Sequence, residues 1–265
     1  MSTHPPIPPR PDGLHPVPAM PAPPEVSGDS RPTATWSWYE AIGVYLLGFV
    51  LAGLATLPVL ALMDEGTDLT TVIVNALAAV VLLGVLLVWL TVNHRGWLKV
   101  MRLPEPGSWL REIGTAVVFG AGLAFAINVV IGRILEAILE AFSDAPVSAP
   151  PQVGEDLSAV GVAFTILYAV VIAPIGEELF FRGVLFRAIR DRHTFWIGAV
   201  GSGVAFGLIH FIPDSAADSA LLMLGMFFTG LALCYLYERR GTIVSPVVAH
   251  VTYNVLVLTL ILTRG

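Results

Sequence analysis

The chain of 265 residues is 55% hydrophobic and only 13% charged, with a mean hydropathy of +0.78. An ordinary soluble domain has about a quarter charged residues, so this composition excludes a soluble enzyme and a disordered regulator. The net charge of -6 offers no basic surface for nucleic acid, and a single cysteine cannot form an internal disulfide. The composition therefore predicts an integral membrane protein whose surroundings are the lipid bilayer.

The first 37 residues differ in composition from the rest of the chain. Eleven of the 20 prolines fall within the first 32 residues, among few bulky apolar side chains. Such a stretch cannot bury a hydrophobic core, so residues 1–37 are predicted to be a disordered cytoplasmic tail. Trp36, Trp38 and Tyr39 precede the first apolar run, where they are predicted to form an aromatic anchor at the membrane interface.

The apolar runs that follow are long enough to cross about 30 Å of hydrocarbon, which takes about 20 helical residues. We expect an all-α, polytopic transmembrane bundle of about seven spans. The predicted spans are residues 39–63, 69–93, 109–133, 158–177, 195–213, 219–237 and 242–262. The third span is expected to continue as an amphipathic helix through Glu136 and Glu140, and the fourth to about Arg190. Gly203 and Gly207 form a Gly-x-x-x-Gly step, which predicts close helix packing.

The charged residues are sorted between the two sides of these spans. Twelve of the 14 basic residues fall on one side: Arg10, Arg31, Arg95, Lys99, Arg102, Arg111, Arg182, Arg187, Arg190, Arg192, Arg239 and Arg240. The loops on the other side contain acidic residues and no Lys or Arg. By the positive-inside rule we expect a cytoplasmic N-terminus and an external C-terminus, and we expect the plasma membrane as the location.

Five charged or titratable residues lie within or next to apolar runs. They are Glu177, Glu178, Arg182, His210 and His250. A charge at the bilayer centre costs at least about 2.5–3.5 kcal/mol, so such residues usually face a polar cavity and indicate function. Glu178 and Arg182 are four residues apart on one helix face, which predicts a structural ion pair. Glu177 points about 100° away from that face and is left for another role.

Two further pairs show the same four-residue spacing, namely Phe206 with His210 and His250 with Asn254. The members of each pair share one helix face. At 1.5 Å per residue, Glu177, His210 and Asn254 lie about 20–24 Å from the basic ends of their helices. The three helices can therefore bring their polar residues to a common level in the bilayer.

These three groups together resemble the motifs of the CAAX-protease and bacteriocin-processing family (CPBP) of intramembrane endopeptidases. Residues 177–182, Glu-Glu-Leu-Phe-Phe-Arg, resemble its Glu-Glu-x-x-x-Arg motif. Residues 206–210, Phe-Gly-Leu-Ile-His, resemble its Phe-x-x-x-His motif, and residues 250–254, His-Val-Thr-Tyr-Asn, its His-x-x-x-Asn motif. All three occur in order, each on a predicted span. The resemblance covers about residues 158–262.

The resemblance implies that residues 158–265 are a protease core, with the active site inside the last four spans. Residues 38–157 are then N-terminal transmembrane helices without an assigned role. The implied activity is that of an intramembrane endopeptidase resembling CAAX prenyl proteases, acting on a peptide or protein whose identity the sequence does not give.

By the same resemblance, Glu177 is a general base that activates a water molecule together with His210. His250 and Asn254 stabilise the oxyanion, as donors placed where negative charge develops can do. The supporting residues are Glu178, Arg182 and Phe206.

Zinc is left open as a cofactor. Glu177, His210 and His250 can supply a three-ligand zinc site with an open position. The sequence has no His-Glu-x-x-His helix, and members of the resembled family carry both glutamate-protease and metalloprotease labels.

Other interpretations of these residues also stay open. The chain can be a non-catalytic membrane immunity or regulatory protein that keeps the motifs for binding. The polar residues can also serve only as hydrogen-bonding contacts between helices. A transporter with an intramembrane relay is a third hypothesis, although the sequence shows no convincing internal repeat.

Overall fold

The computed structural model describes residues 32–64, 67–150 and 158–264, which form helices and their connections without strands. Eight helices follow one another within these ranges: α1 (Trp38–Leu62), α2 (Asp68–Asn93), α3 (Trp97–Met101), α4 (Trp109–Glu140), α5 (Ala159–Arg190), α6 (Phe195–Leu208), α7 (Ala216–Arg240) and α8 (Val244–Arg264). All except α3 and α6 are long and apolar enough to cross a membrane. The predicted polytopic helical bundle is confirmed, as are the extensions of the third and fourth spans.

The fifth predicted span, residues 195–213, is wrong in its extent. Helix α6 ends at Leu208, and its 14 residues cover only about 21 Å. Pro213 has no N–H to donate and disfavours helical backbone at Ile212, so the helix does not resume before it. Residues 209–215 continue without helix, so His210 lies in a turn and not inside a span.

Helix α6 packs closely against α7 and runs in the opposite direction. A Cβ atom at Gly207 would lie 2.6 Å from the Met223 carbonyl oxygen, and one at Gly230 would lie 3.0 Å from the Gly203 Cα. The close packing predicted for the Gly-x-x-x-Gly step is therefore confirmed.

Several basic connections meet at one end of the bundle, which we call the basic end. It comprises these connections, residues 94–108, 191–194 and 241–243, together with the adjoining helix ends, residues 109–112, 187–190 and 237–240. The contacts that join them are the ion pairs Arg240–Glu112 (2.6 Å) and Arg190–Glu238 (2.7 Å) and the hydrogen bond from Thr242 Oγ1 to the Arg102 carbonyl (3.0 Å). This shared end agrees with the alternation of charge along the sequence. The side of the membrane that it faces stays a prediction.

Residues 32–37, the last six of the predicted disordered tail, are ordered and pack on the basic end. The Ala34 N–H donates to Asp191 Oδ2 at 2.7 Å, and Arg192 donates to the Ala34 carbonyl at 3.4 Å. Residues 1–31, where the rest of the predicted tail falls, lie outside the described residues.

The interfacial position predicted for Trp36 is wrong. Its side chain is fully buried, and its indole N–H donates to the Val184 carbonyl of α5 at 3.0 Å. The indole also contacts the rings of Trp89 and His94. Trp38, by contrast, is exposed as an interfacial anchor requires.

Acidification is expected to weaken the packing of residues 32–37 on the basic end. The effect acts through His94, whose Nδ1 lies 3.0 Å from Thr35 Oγ1. Burial lowers the pKa of His94, and the Glu40 carboxylate opposes that shift. The folded state therefore favours neutral His94, and its stabilisation is present above the unfolded pKa of about 6.5 and lost as the pH falls through the folded pKa. Thermal unfolding should show the Tm difference between native protein and His94→Gln shrinking on acidification. A difference that is independent of pH would contradict this account.

Gly120 is expected to tolerate no side chain, because α4 and α8 touch there. A Cβ atom at Gly120 would lie 2.4 Å from the Ala249 carbonyl oxygen, which is fixed backbone. Gly120→Ala should therefore destabilise the protein by about 1–3 kcal/mol through overpacking. Gly122→Ala on the same helix is the control, since nothing lies within 4 Å of its added methyl group. Thermal unfolding should show a lower Tm for the first variant only; equal Tm values would refute the close approach.

Candidate active site

The two adjacent glutamates of α5 lie in different surroundings. Glu178 is fully buried and accepts a hydrogen bond from Arg182 at 2.8 Å, with the guanidinium also fully buried. The side chain of Glu177 is 24% exposed. The predicted ion pair between Glu178 and Arg182 is thus confirmed, and Glu177 is separate from it.

The buried glutamate also fixes the orientation of His250 on α8. Its Oε1 atom lies 2.8 Å from His250 Nδ1, and because a carboxylate accepts, Nδ1 donates. The other ring nitrogen, Nε2, lies 3.9 Å from Glu177 Oε2. That distance is too long for a direct hydrogen bond and leaves the two groups facing each other across a gap.

Phe206 of α6 forms the wall against which the other site residues pack. Its buried ring lies 4.7 Å from the His210 ring and 5.8 Å from the His250 ring, measured between centroids. The Arg182 guanidinium carbon lies 4.5 Å from the same centroid, within cation–π range. Phe206 therefore joins the two predicted histidines and the ion pair into one contiguous cluster.

His210 lies in the turn after α6 with one ring nitrogen already engaged. Its Nδ1 lies 2.8 Å from the Phe206 carbonyl oxygen, which can only accept, so Nδ1 donates. In the neutral imidazole the lone pair then lies on Nε2. His210 is partly accessible, so this arrangement suits a group that accepts a proton.

Asn254, on α8, has a definite structural partner. Its amide donates to the Ala169 carbonyl of α5 at 2.7 Å. That carbonyl lacks its usual helical donors, because the Ala173 N–H donates instead to Tyr168 and the next residue, Pro174, has no N–H. Asn254 therefore satisfies a backbone group that α5 leaves unpaired. Its predicted role at an oxyanion stays a prediction.

Helix α5 contains two π-helical segments, Tyr168–Ile172 and Leu179–Phe186. Ser202 and Trp36, which the sequence motifs do not include, hold the second of them. Ser202 Oγ donates to the Phe181 carbonyl at 2.8 Å, and Trp36 donates to Val184 as described above. π-helical segments are rare and occur often at functional sites. Ser202 falls among glycines in the sequence and so resembles a small packing residue, which is why no sequence signal identifies it.

A residue of α1 also approaches the accessible glutamate. The Tyr45 ring stacks on Phe180 with centroids 4.2 Å apart, and Phe180 follows Glu177 by three residues. Tyr45 and Tyr168 both lie within electrostatic range of the Glu177 carboxylate. The surroundings of Glu177 thus include helices before the three motifs.

The three-ligand zinc site considered for Glu177, His210 and His250 is not assembled. Within residues 32–64, 67–150 and 158–264, no three His, Cys, Asp or Glu side chains are grouped so as to hold a metal ion. Each imidazole donates from Nδ1, His250 to Glu178 and His210 to the Phe206 carbonyl, so neither of these bonds engages Nε2. Zinc therefore stays an open prediction for these residues.

Comparisons with known proteins bear on the same region. Residues 159–256 match the sequence model of the family described as type II CAAX prenyl endopeptidase Rce1-like. An Escherichia coli protein named "Uncharacterized 24.3 kDa protein" is 29% identical over 160 residues, which are 59% of this chain and 67% of that protein. The Bacillus subtilis (strain 168) protein named "Putative membrane peptidase YdiL" is 31% identical over 96 residues, 36% of each chain. No solved structure matches this chain.

Ser202→Ala is expected to loosen the π-helical segment that carries Arg182. Loss of the hydrogen bond to the Phe181 carbonyl should cost about 1 kcal/mol. Hydrogen–deuterium exchange measured by mass spectrometry should show faster amide exchange in residues 179–186. The control is Thr115→Ala, because that exposed hydroxyl bonds only within its own helix. Exchange in residues 179–186 that is unchanged in Ser202→Ala would refute the role of Ser202.

Proposed function

We propose that this integral membrane protein, whose residues 159–256 match the sequence model of the Rce1-like type II CAAX prenyl endopeptidases, is an intramembrane endopeptidase. The observation that supports the proposal most is the arrangement of Glu177 and His250. An accessible carboxylate faces an imidazole that a buried ion pair holds in position. A bundle that required only packing would gain nothing from placing these polar groups inside apolar helices, where they are costly.

In the proposed reaction, Glu177 and His210 activate a water molecule. Glu177 takes a proton from the water, and the resulting hydroxide oxygen attacks the carbonyl carbon of the peptide. The His210 Nε2 lone pair, which the bond from Nδ1 to Phe206 leaves available, accepts a hydrogen bond from the same water. The C–N bond then breaks, and the proton held by Glu177 passes to the leaving amine.

His250 and Asn254 are proposed to stabilise the oxyanion of the tetrahedral intermediate. Because His250 Nδ1 donates to Glu178, Nε2 can donate to an oxyanion only when the ring is doubly protonated. Asn254 retains a second amide hydrogen beyond the one given to Ala169.

The proposed substrate is a peptide held in the membrane by a lipid group or by its own apolar segment. This is supported by the position of Glu177 on α5 and of His250 and Asn254 on α8, two helices long enough to cross a bilayer. The orientation that we propose has the basic end in the cytoplasm and the protein in the plasma membrane, because basic residues are retained on the cytoplasmic side.

Glu177→Gln and His210→Gln are expected to reduce peptide cleavage, each by about 100- to 10,000-fold, because general acid–base groups contribute factors of that size. The assay uses purified full-length protein in vesicles with a quenched fluorescent peptide that ends in a farnesylated Cys-a-a-X sequence, and with its unprenylated twin. Glu136→Gln is the control, since that carboxylate pairs with Arg133 on the far part of α4. All variants should keep the native Tm.

Wild-type cleavage by folded Glu177→Gln would overturn the proposal. Peptide mass spectrometry of the protein termini in membranes with native or Glu177→Gln protein extends the test to cellular substrates. The non-catalytic regulatory alternative gives a different pattern, in which Glu177→Gln rescues a deletion phenotype and the terminal peptides do not change.

A further inference from the structure

The connection between α2 and α4 presents a surface that is both basic and apolar. Arg95 and Lys99, which we call the α3 cation pair, are exposed and four residues apart. Leu98 and Leu103 beside them are 53% and 52% exposed, and Leu110 at the start of α4 is 87% exposed. Cations alternating with exposed leucines at the end of a span are typical of the headgroup layer of a membrane.

The acidic residues of this connection do not neutralise the α3 cation pair. Glu105 pairs with Arg102 at 3.0 Å, and Glu112, at the start of α4, pairs with Arg240 at 2.6 Å. Among residues 32–64, 67–150 and 158–264, no ion-pair partner contacts either member of the α3 cation pair. Within these ranges their charge is therefore not neutralised by another side chain.

The backbone beneath this surface is held rigidly. Arg102 has a positive φ of 53°. A residue other than glycine adopts such a backbone angle at a cost in conformational free energy. The Ile243 N–H reaches the carbonyls of Met101 and Arg102 at 3.1 and 3.2 Å, and Thr242 Oγ1 donates to Arg102 at 3.0 Å. Contacts from the turn between α7 and α8 thus fix the segment that presents the cations.

We propose that the α3 cation pair binds the phosphate of an anionic phospholipid, whose acyl chains lie along Leu98 and Leu103. The charge fits an anionic headgroup, and the leucines exclude a purely polar anion as the full ligand because they would stay exposed to water. A lipid also fits the position of this surface, which directly follows one membrane span and precedes another.

Lipid binding at the α3 cation pair would also stabilise α3, which packs against α5. The Met101 side chain is buried against Gly183, where a Cβ atom would lie 2.8 Å from the methionine sulfur. Gly183 belongs to the π-helical segment that carries Arg182. A lipid bound to Arg95 and Lys99 therefore stabilises the contact that Met101 of α3 makes with α5, the helix that carries Glu177.

The test uses full-length protein in nanodiscs of phosphatidylcholine alone or with added phosphatidylglycerol. Native mass spectrometry counts retained phosphatidylglycerol, and thermal unfolding records the Tm. Arg95→Gln combined with Lys99→Gln should bind phosphatidylglycerol roughly 30-fold more weakly, from about 1 kcal/mol for each basic residue near an anionic surface. The Tm increase that phosphatidylglycerol gives the native protein should be lost in this double variant.

Two controls make the result specific to this site. Arg239→Gln removes another exposed cation of the basic end, which lies over Tyr235, and should leave the lipid effect unchanged. Arg95→Lys with Lys99→Arg keeps both charges and should retain binding. If the double Gln variant is unfolded in phosphatidylcholine, the single variants Arg95→Gln and Lys99→Gln replace it, and each should bind about fivefold more weakly.

Three outcomes would overturn the proposal. They are an unchanged phosphatidylglycerol effect in the double Gln variant, an equal loss in Arg239→Gln, and full competition by water-soluble glycerophosphoglycerol, which lacks acyl chains. None of these measurements depends on peptide cleavage, so the lipid site can fail or stand independently of the proposed peptidase activity.

Discussion

The structure depends most on the pairing of one carboxylate with one guanidinium inside an apolar bundle. Neither Glu178 nor Arg182 is exposed, and removing either partner would leave an uncompensated buried charge, a change that typically costs 3–5 kcal/mol. The pair reaches beyond α5, because Glu178 Oε1 also binds His250 and Arg182 also donates to the Gly230 carbonyl. One ion pair thus links α5 with α7 and α8 and sets the orientation of the imidazole that faces Glu177.

The backbone of α5 shows a second constraint of the bilayer. In lipid each peptide group requires a partner within the protein, since no water replaces a missing one. Pro174 has no backbone N–H to donate. The Ala173 N–H makes a π-helical hydrogen bond to Tyr168, and the Asn254 amide donates to the Ala169 carbonyl that is left unpaired. The same asparagine that the motif predicts at the oxyanion is therefore also required by the backbone. Its presence in the sequence alone does not establish catalysis.

The sequence predicts those features that have a local cause. Hydropathy locates the long helices, and the four-residue spacing of Glu178 and Arg182 predicts their ion pair. Hydropathy fails after Leu208, because residues 209–213 are mostly apolar yet lie outside the helix, and Pro213 disfavours helical backbone at the residue before it. It also fails at Trp36, since an aromatic residue before a span has the same local sequence whether it lies at the interface or enters the core. The partners of Ser202 and Asn254 depend on tertiary packing and have no local signal.

The helices before residue 159 take part in the site even though the family match does not include them. Tyr45 stacks on Phe180, Trp36 donates to Val184, and Met101 packs on Gly183, all on the segment of α5 that follows Glu177. On the opposite helix of the site, Gly120 of α4 lets Ala249 approach next to His250. These contacts cover faces of α5 and α8 that the matched segment alone would leave to lipid. Because lipid cannot reproduce a directed hydrogen bond or a fixed ring contact, Trp36 and helices α1, α3 and α4 give α5 and α8 a support that lipid would not supply.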